Sequence, residues 1–161
     1  MNMEGAPFVN KDEPEDVIYN ERVRELEQKR AKMIENLASM MHEKWRQGRY
    51  NPETKTYTPR LKSVKDQDWI AKHNGVAEVD IANTAFADLP ADWREENFLS
   101  AKAAIEKIEG VLNLIHDDWL DRNDQSASPE QKAQYSRLPK AEKEKDIDVL
   151  EEALIIMRAA E

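Results

Sequence analysis

The sequence predicts an all-α protein: two pseudo-symmetric helix–loop–helix repeats packed into one domain, preceded by a long N-terminal helix. Three observations carry that expectation. Long stretches place apolar residues three, four and seven apart, the period of a helix with one buried face. Four glycines and seven prolines among 161 residues leave too little turn chemistry for a many-stranded β fold. The chain also repeats itself, since "MMHEKWRQGR" at residues 40–49 returns as "LIHDDWLDRN" at residues 114–123. His42 and His116 stand at the same offset as Trp45 and Trp119.

Taken in order, residues 1–13 read as a flexible leader, and Pro14 suits the first turn of a helix. Residues 14–161 are expected to form the single helical domain, with repeat one at about 34–108 and repeat two at about 109–161. From about Asp16 to Gln47 the pattern Val17, Val23, Leu26, Met33, Ile34, Leu37, Met40, Met41 predicts one long helix. Gly48 is expected to end it in the left-handed conformation. Residues 49–66, with Pro52 and Pro59, are expected to be irregular. A short helix is predicted from Val64 to Lys72, stopped by the turn signal "HNG". "DLPADWREENFLSAKAAIEKIEGVLNLIHDDWLDRN" predicts one or two helices, with Asp88 as N-cap and Gly110 as a break. Ser128 before Pro129 can open a helical turn. The final helix is "LPKAEKEKDIDVLEEALIIMRAA", with Ile147, Leu150, Leu154 and Met157 on its apolar face.

Composition excludes several classes. Without cysteine there is neither a disulfide framework nor a thiolate metal site. No apolar run reaches the length of a membrane span, and the N-terminus lacks a signal-peptide pattern. A cytoplasmic protein with no membrane partner is the expectation. The net charge of −9 argues against a nucleic acid polymer as partner. Yet Lys44 to Lys65 holds seven basic residues against one acid, Glu53. A compact basic segment in an acidic chain suits a small anion, or else a solvated loop paired with acidic neighbours.

The two halves match beyond the His and Trp. Each such helix end is followed by a polar loop, then "LP", then a helix: "FADLPADWREENFLSAKAAI" and "YSRLPKAEKEKDIDVLEEAL". Phe86 aligns with Tyr135, Leu89 with Leu138, Pro90 with Pro139, Glu95 with Glu144 and Asn97 with Asp146. This is the pattern of a degenerate tandem repeat whose units bury their apolar faces together.

The run "LASMMHEKWRQGR", the "PRL" at Pro59 to Leu61 and the pattern Y-x-x-L-P-x-x-E-K-E-K-D from Tyr135 to Asp146 resemble the ryanodine receptor repeat (RyR domain). The resemblance spans roughly residues 34–157 and is closest to the small stand-alone tandem versions of bacteria and phages. Two departures stand out: "DIANTAF" replaces the family's L-x-P-Y, and the second half has no P-x-L element. The resemblance implies a non-enzymatic, all-α module in which paired tryptophans flank a nucleotide pocket. Carried over, Trp45 and Trp119 would face each other and stack on the base in a slot between the two repeats. Arg46, Arg49, Arg60 and Lys62, with Arg122 from the second half, would meet the phosphates. The expected ligand is an adenine nucleotide, an ADP-ribose-type molecule or a cyclic messenger, bound by a sensor or by a phage sponge that blunts an immune second messenger in anti-phage defence.

Each of these residues has a plainer role to weigh. Tryptophans near helix ends often anchor a core. His42 and His116 are expected to face the core and bond a backbone carbonyl. Trp93 reads as packing, and Asn83 and Asn97 as turn caps rather than readers of a base edge. No catalytic residue, metal site or cofactor is expected: three His without Cys make a poor metal set, "HEKWR" lacks the second His of a zinc motif, and no glycine-rich phosphate loop exists. The alternative function is a protein–protein interaction module with the tryptophans in the core. Oligomeric state stays open.

Overall fold

The computed structural model describes residues 15–160 and is mostly helical, with four helices and two small antiparallel sheets. The expected leader at 1–13 and Pro14 lie outside the described residues. Among the described residues no helix is long and apolar enough to cross a membrane. The chain divides into two compact units between Ala101 and Lys102.

The first unit begins with α1 (Glu15–Gln47), as the periodicity predicts. Its fully buried stripe is narrow: Ile34, Ala38 and His42, one helical turn apart. Leu26, Met33 and Met40 of the same helix are exposed. The helix does stop before Gly48, but not by the expected device. Gly48 is not in the left-handed region, and its N–H and that of Arg49 return to the carbonyls of Lys44 and Arg46.

The all-α expectation needs correction over residues 50–80. β1 (Tyr50–Asn51) pairs antiparallel with β2 (Thr56–Tyr57), and β3 (Leu61–Ser63) with β4 (Glu78–Asp80). Tyr50 stands opposite Tyr57, their rings 5.2 Å apart, and such cross-strand aromatic pairs hold a short ladder. Lys55 turns the hairpin with φ at 55°. These strands are two or three residues long, too short to alternate visibly in sequence.

Between β3 and β4 lies α2 (Gln67–Lys72), where the short helix was expected. Asp66 caps it by accepting the Trp69 N–H at 3.0 Å. The "HNG" signal acts as predicted, for Asn74 and Gly75 are both left-handed. Asp88, by contrast, is no helix cap. It closes a 3-10 turn, Phe86–Asp88, and α3 (Ala91–Asn123) starts after Pro90. The cap comes from afar: the Ala91 N–H donates to the second carboxylate oxygen of Asp66 at 2.8 Å. The core of this unit is Val64, Val79, Ile81 and Leu89, against which Trp69, Ile70, Phe86 and Trp93 pack.

The second unit holds the rest of α3, a 3-10 turn at Tyr135–Arg137 and α4 (Lys140–Ala159). Gly110 does not break α3, which runs through it unbroken for 33 residues. Ser128 and Gln131 exchange side-chain-to-backbone bonds in both directions, the reciprocal arrangement of a capping box. Leu112, Tyr135 and Leu138 form the core, with Ala133 and Leu150 against it. Of the four residues expected on the apolar face of α4, only Leu150 packs; Ile147, Leu154 and Met157 are exposed. The residue that α4 buries is Asp146.

Candidate functional site

In the first unit the HxxW end of α1 meets the loop before α3. His42 is buried, and its Nε2 lies 3.0 Å from the carbonyl oxygen of Thr84, the core-facing role expected of it. The ring also sits between Trp45 and Phe86, with centroids 5.9 and 6.2 Å away. Trp45, one turn on, is 39% exposed and is therefore not a core residue.

A cavity of about 280 Å³ opens beside it, lined by Met41, His42, Trp45, Trp93, Glu96 and Asn97 among others. Trp93 does pack against the core, and its indole N–H donates to the Ser63 carbonyl at 2.8 Å. It also walls the same cavity as Trp45, which sequence reading missed. The signal was faint: Trp93 lies one helical turn before Asn97, on the same face of α3. Asn97 donates to the Trp93 carbonyl at 2.7 Å, and Asn83 to Tyr57 and Asp80, so neither side chain is idle.

The basic residues divide into two kinds. Arg46 is a structural brace with 12% of its side chain exposed. Its Nε donates to the Ala82 carbonyl at 2.8 Å, its Nη1 to Glu43 at 2.7 Å, and its guanidinium lies 4.8 Å over the Tyr57 ring. Arg49 and Lys62 instead stand over the cavity's two indoles, 5.4 Å above Trp45 and 5.2 Å above Trp93. Arg49 also donates to the carbonyls of Thr58 and Pro59. Arg60 is exposed; its backbone N–H donates to Asp80 at 2.8 Å and its carbonyl accepts from the Ile81 N–H at 3.0 Å.

The second unit carries a comparable arrangement of its own. His116 Nε2 lies 3.1 Å from the Ala133 carbonyl, the role expected of it, and its ring is 6.3 Å from Trp119 at 15°. A cavity of about 280 Å³ is lined by His116, Trp119, Gln131, Glu142, Lys145 and Asp146. Lys145 pairs with Glu142 at 2.7 Å and Gln131 donates to it at 3.2 Å; the Lys145 bond, followed by that of Gln131, holds the Glu142 carboxyl below the usual range. Burial pushes the Asp146 carboxyl up, against the pull of His116, whose Nδ1 is 3.4 Å from Oδ2. Arg122 is exposed in the last turn of α3.

Trp45 and Trp119 thus line two distinct cavities, each built from residues of its own unit. Among the described residues no three His, Asp or Glu side chains are grouped to hold a metal ion. Compared with known protein families, curated proteins and solved structures, the chain matches none of them.

Proposed function

We propose that this chain is a cytoplasmic, non-enzymatic binding protein for a small nucleotide or nucleotide-derived signalling molecule, acting as a sensor or as a sponge that sequesters an immune second messenger. The observation that carries the reading is the cavity shared by Trp45 and Trp93, each indole with a cation over it. A planar base against such an indole gains roughly 1–3 kcal/mol. Arg49, Lys62 and the exposed Arg60 supply charge-assisted donors for phosphate on that side, and Arg122 does so in the second unit. Arg46 is assigned to the fold. The ryanodine receptor repeat resemblance supports the same ligand class.

We also read the two units as copies of one repeat. In support, the His–carbonyl bond, the Trp one turn later, the following 3-10 turn with its aromatic Phe86 or Tyr135, and the Leu-Pro pair recur in both. A protein-interaction module is the second reading. It is favoured by one observation: Leu154, Ile155, Ile156 and Met157 of α4 are all more than half exposed.

Tryptophan fluorescence titrated with ATP, ADP-ribose and cyclic dinucleotides tests the first reading. One of these should quench the emission of the four tryptophans saturably. Trp45→Ala and Trp119→Ala should each keep the helical circular dichroism and lose the part of that response that comes from its own cavity. Folded variants that bind as wild type does, or no response to any of these ligands, would favour the interaction module.

A further inference from the structure

α1 carries two stripes, and the fold of the first unit uses one of them. Ile34, Ala38 and His42 are buried. Roughly 110° around the helix, Leu26, Met33 and Met40 recur every seventh residue with 65%, 46% and 68% of their surface exposed. Val23 and Leu37 lie between the two stripes and are half-buried. Val23 with Leu26, Arg30 with Met33 and Leu37 with Met40 thus hold the first and fourth positions of three consecutive heptads. An exposed seam with that period fits a second helix of the same period, because each side chain of the seam enters a hole between four residues facing it.

The charges beside the seam match this helix to itself. When two copies lie parallel and in register, Arg22 falls opposite Glu27 of the second copy and Glu27 opposite its Arg22, and both residues are exposed. The next residues in the two flanking rows are Lys29 and Ile34, then Asn36 and Met41, so no like charges are opposed along them. Val23 at a first position with Leu26 at a fourth favours two strands. Arg30 meets its own counterpart, which weakens the pair but penalises every register that sets it against an apolar residue. We propose that α1 pairs with α1 of a second copy of this chain, from Val23 to Met40, as a parallel two-stranded coiled coil that closes a twofold dimer. The seam is short, roughly two and a half heptads, so the dimer is reversible, with a dissociation constant in the micromolar range. The inference does not depend on either tryptophan cavity binding a ligand.

Sedimentation of the full chain over a range of concentrations should show a monomer–dimer equilibrium. Met33→Lys puts like charges into the seam and should weaken the dimer at least tenfold. Its circular dichroism and its melting when dilute should match wild type, because the side chain it replaces is exposed. Arg22→Glu and Glu27→Arg should each weaken the dimer severalfold, and the two together should restore it. The chain has no cysteine, so Leu26→Cys supplies a single thiol that should cross-link to its counterpart on mild oxidation. Gln28→Cys, on the far side of α1 from the seam, should not. A chain that stays monomeric at millimolar concentration would overturn the proposal, as would a dimer that Met33→Lys leaves intact. So would a double charge reversal no better than the single ones. Leu26→Cys that cross-links no faster than Gln28→Cys would point to an antiparallel pair or another face and would also overturn it.

Discussion

The guanidinium of Arg49 lies 5.4 Å over the indole of Trp45, while Arg46, three residues earlier, is turned inward onto Ala82 and Glu43. One arginine in the last turn of α1 and one just past its end thus have separate duties. One places its charge over an indole that lines a cavity, and the other braces the chain at Ala82.

Substitution separates the two. Arg46→Met removes two charge-assisted bonds from a nearly buried site and should destabilise the first unit by about 2–3 kcal/mol. Arg60→Glu, at an exposed side chain, should change stability by less than about 0.5 kcal/mol. Reversing Arg49 and Arg60 together should weaken a phosphorylated ligand more than tenfold. Urea unfolding beside a fluorescence titration reads both quantities. Equal stability losses at Arg46 and Arg60 would show that the brace contributes nothing.

The acid limb of stability is set partly by Asp66. Hydrogen bonds from the Ala91 N–H, then from the Trp69 N–H, hold its carboxyl below the ordinary carboxylate range. A folded pKa that is depressed stabilises the protein above the ordinary range, and that contribution disappears as pH falls through the folded value. Asp80 behaves likewise: burial raises its pKa, but bonds from Arg60, Asn83 and Ala82 outweigh it. Melting temperatures of wild type and Asp66→Asn, measured from pH 7 to pH 2, should converge as the pH drops. A constant gap across that range would remove Asp66 from the account.

Gly110 offers a gain. It lies inside α3, its φ is not left-handed, and a Cβ placed there would meet nothing within 4 Å. Gly110→Ala should stabilise the protein by about 0.5–1 kcal/mol through the helix term alone. A loss on chemical denaturation would mean that the helix needs its flexibility at this point.

The helices were legible because 33 residues of apolar period make a signal that local exceptions do not erase. The two histidines were legible for a related reason: a polar ring on an otherwise buried stripe must find a backbone partner. The strands were hidden, for pairs such as Tyr50–Tyr57 are too short to show alternation. Trp93 was half visible, since its packing followed from its place at a helix start but its second face did not. Its alignment partner, Glu142, gave no hint of an aromatic wall. The sequence aligns Asp146 with Asn97, but it does not show that the carboxylate is buried beside His116 while the amide bonds the Trp93 carbonyl.

Asp66 divides one carboxylate between two helices, Oδ1 to the start of α2 and Oδ2 to the start of α3. A six-residue helix such as α2 is far too short to persist alone, so its order derives from what it is tied to. The amides of Trp69 and Ala91 therefore share one protecting group though they are far apart in sequence. In native-state hydrogen exchange they are expected to open in a single event, which would draw the strands on either side of α2 into one cooperative unit with the first turn of α3.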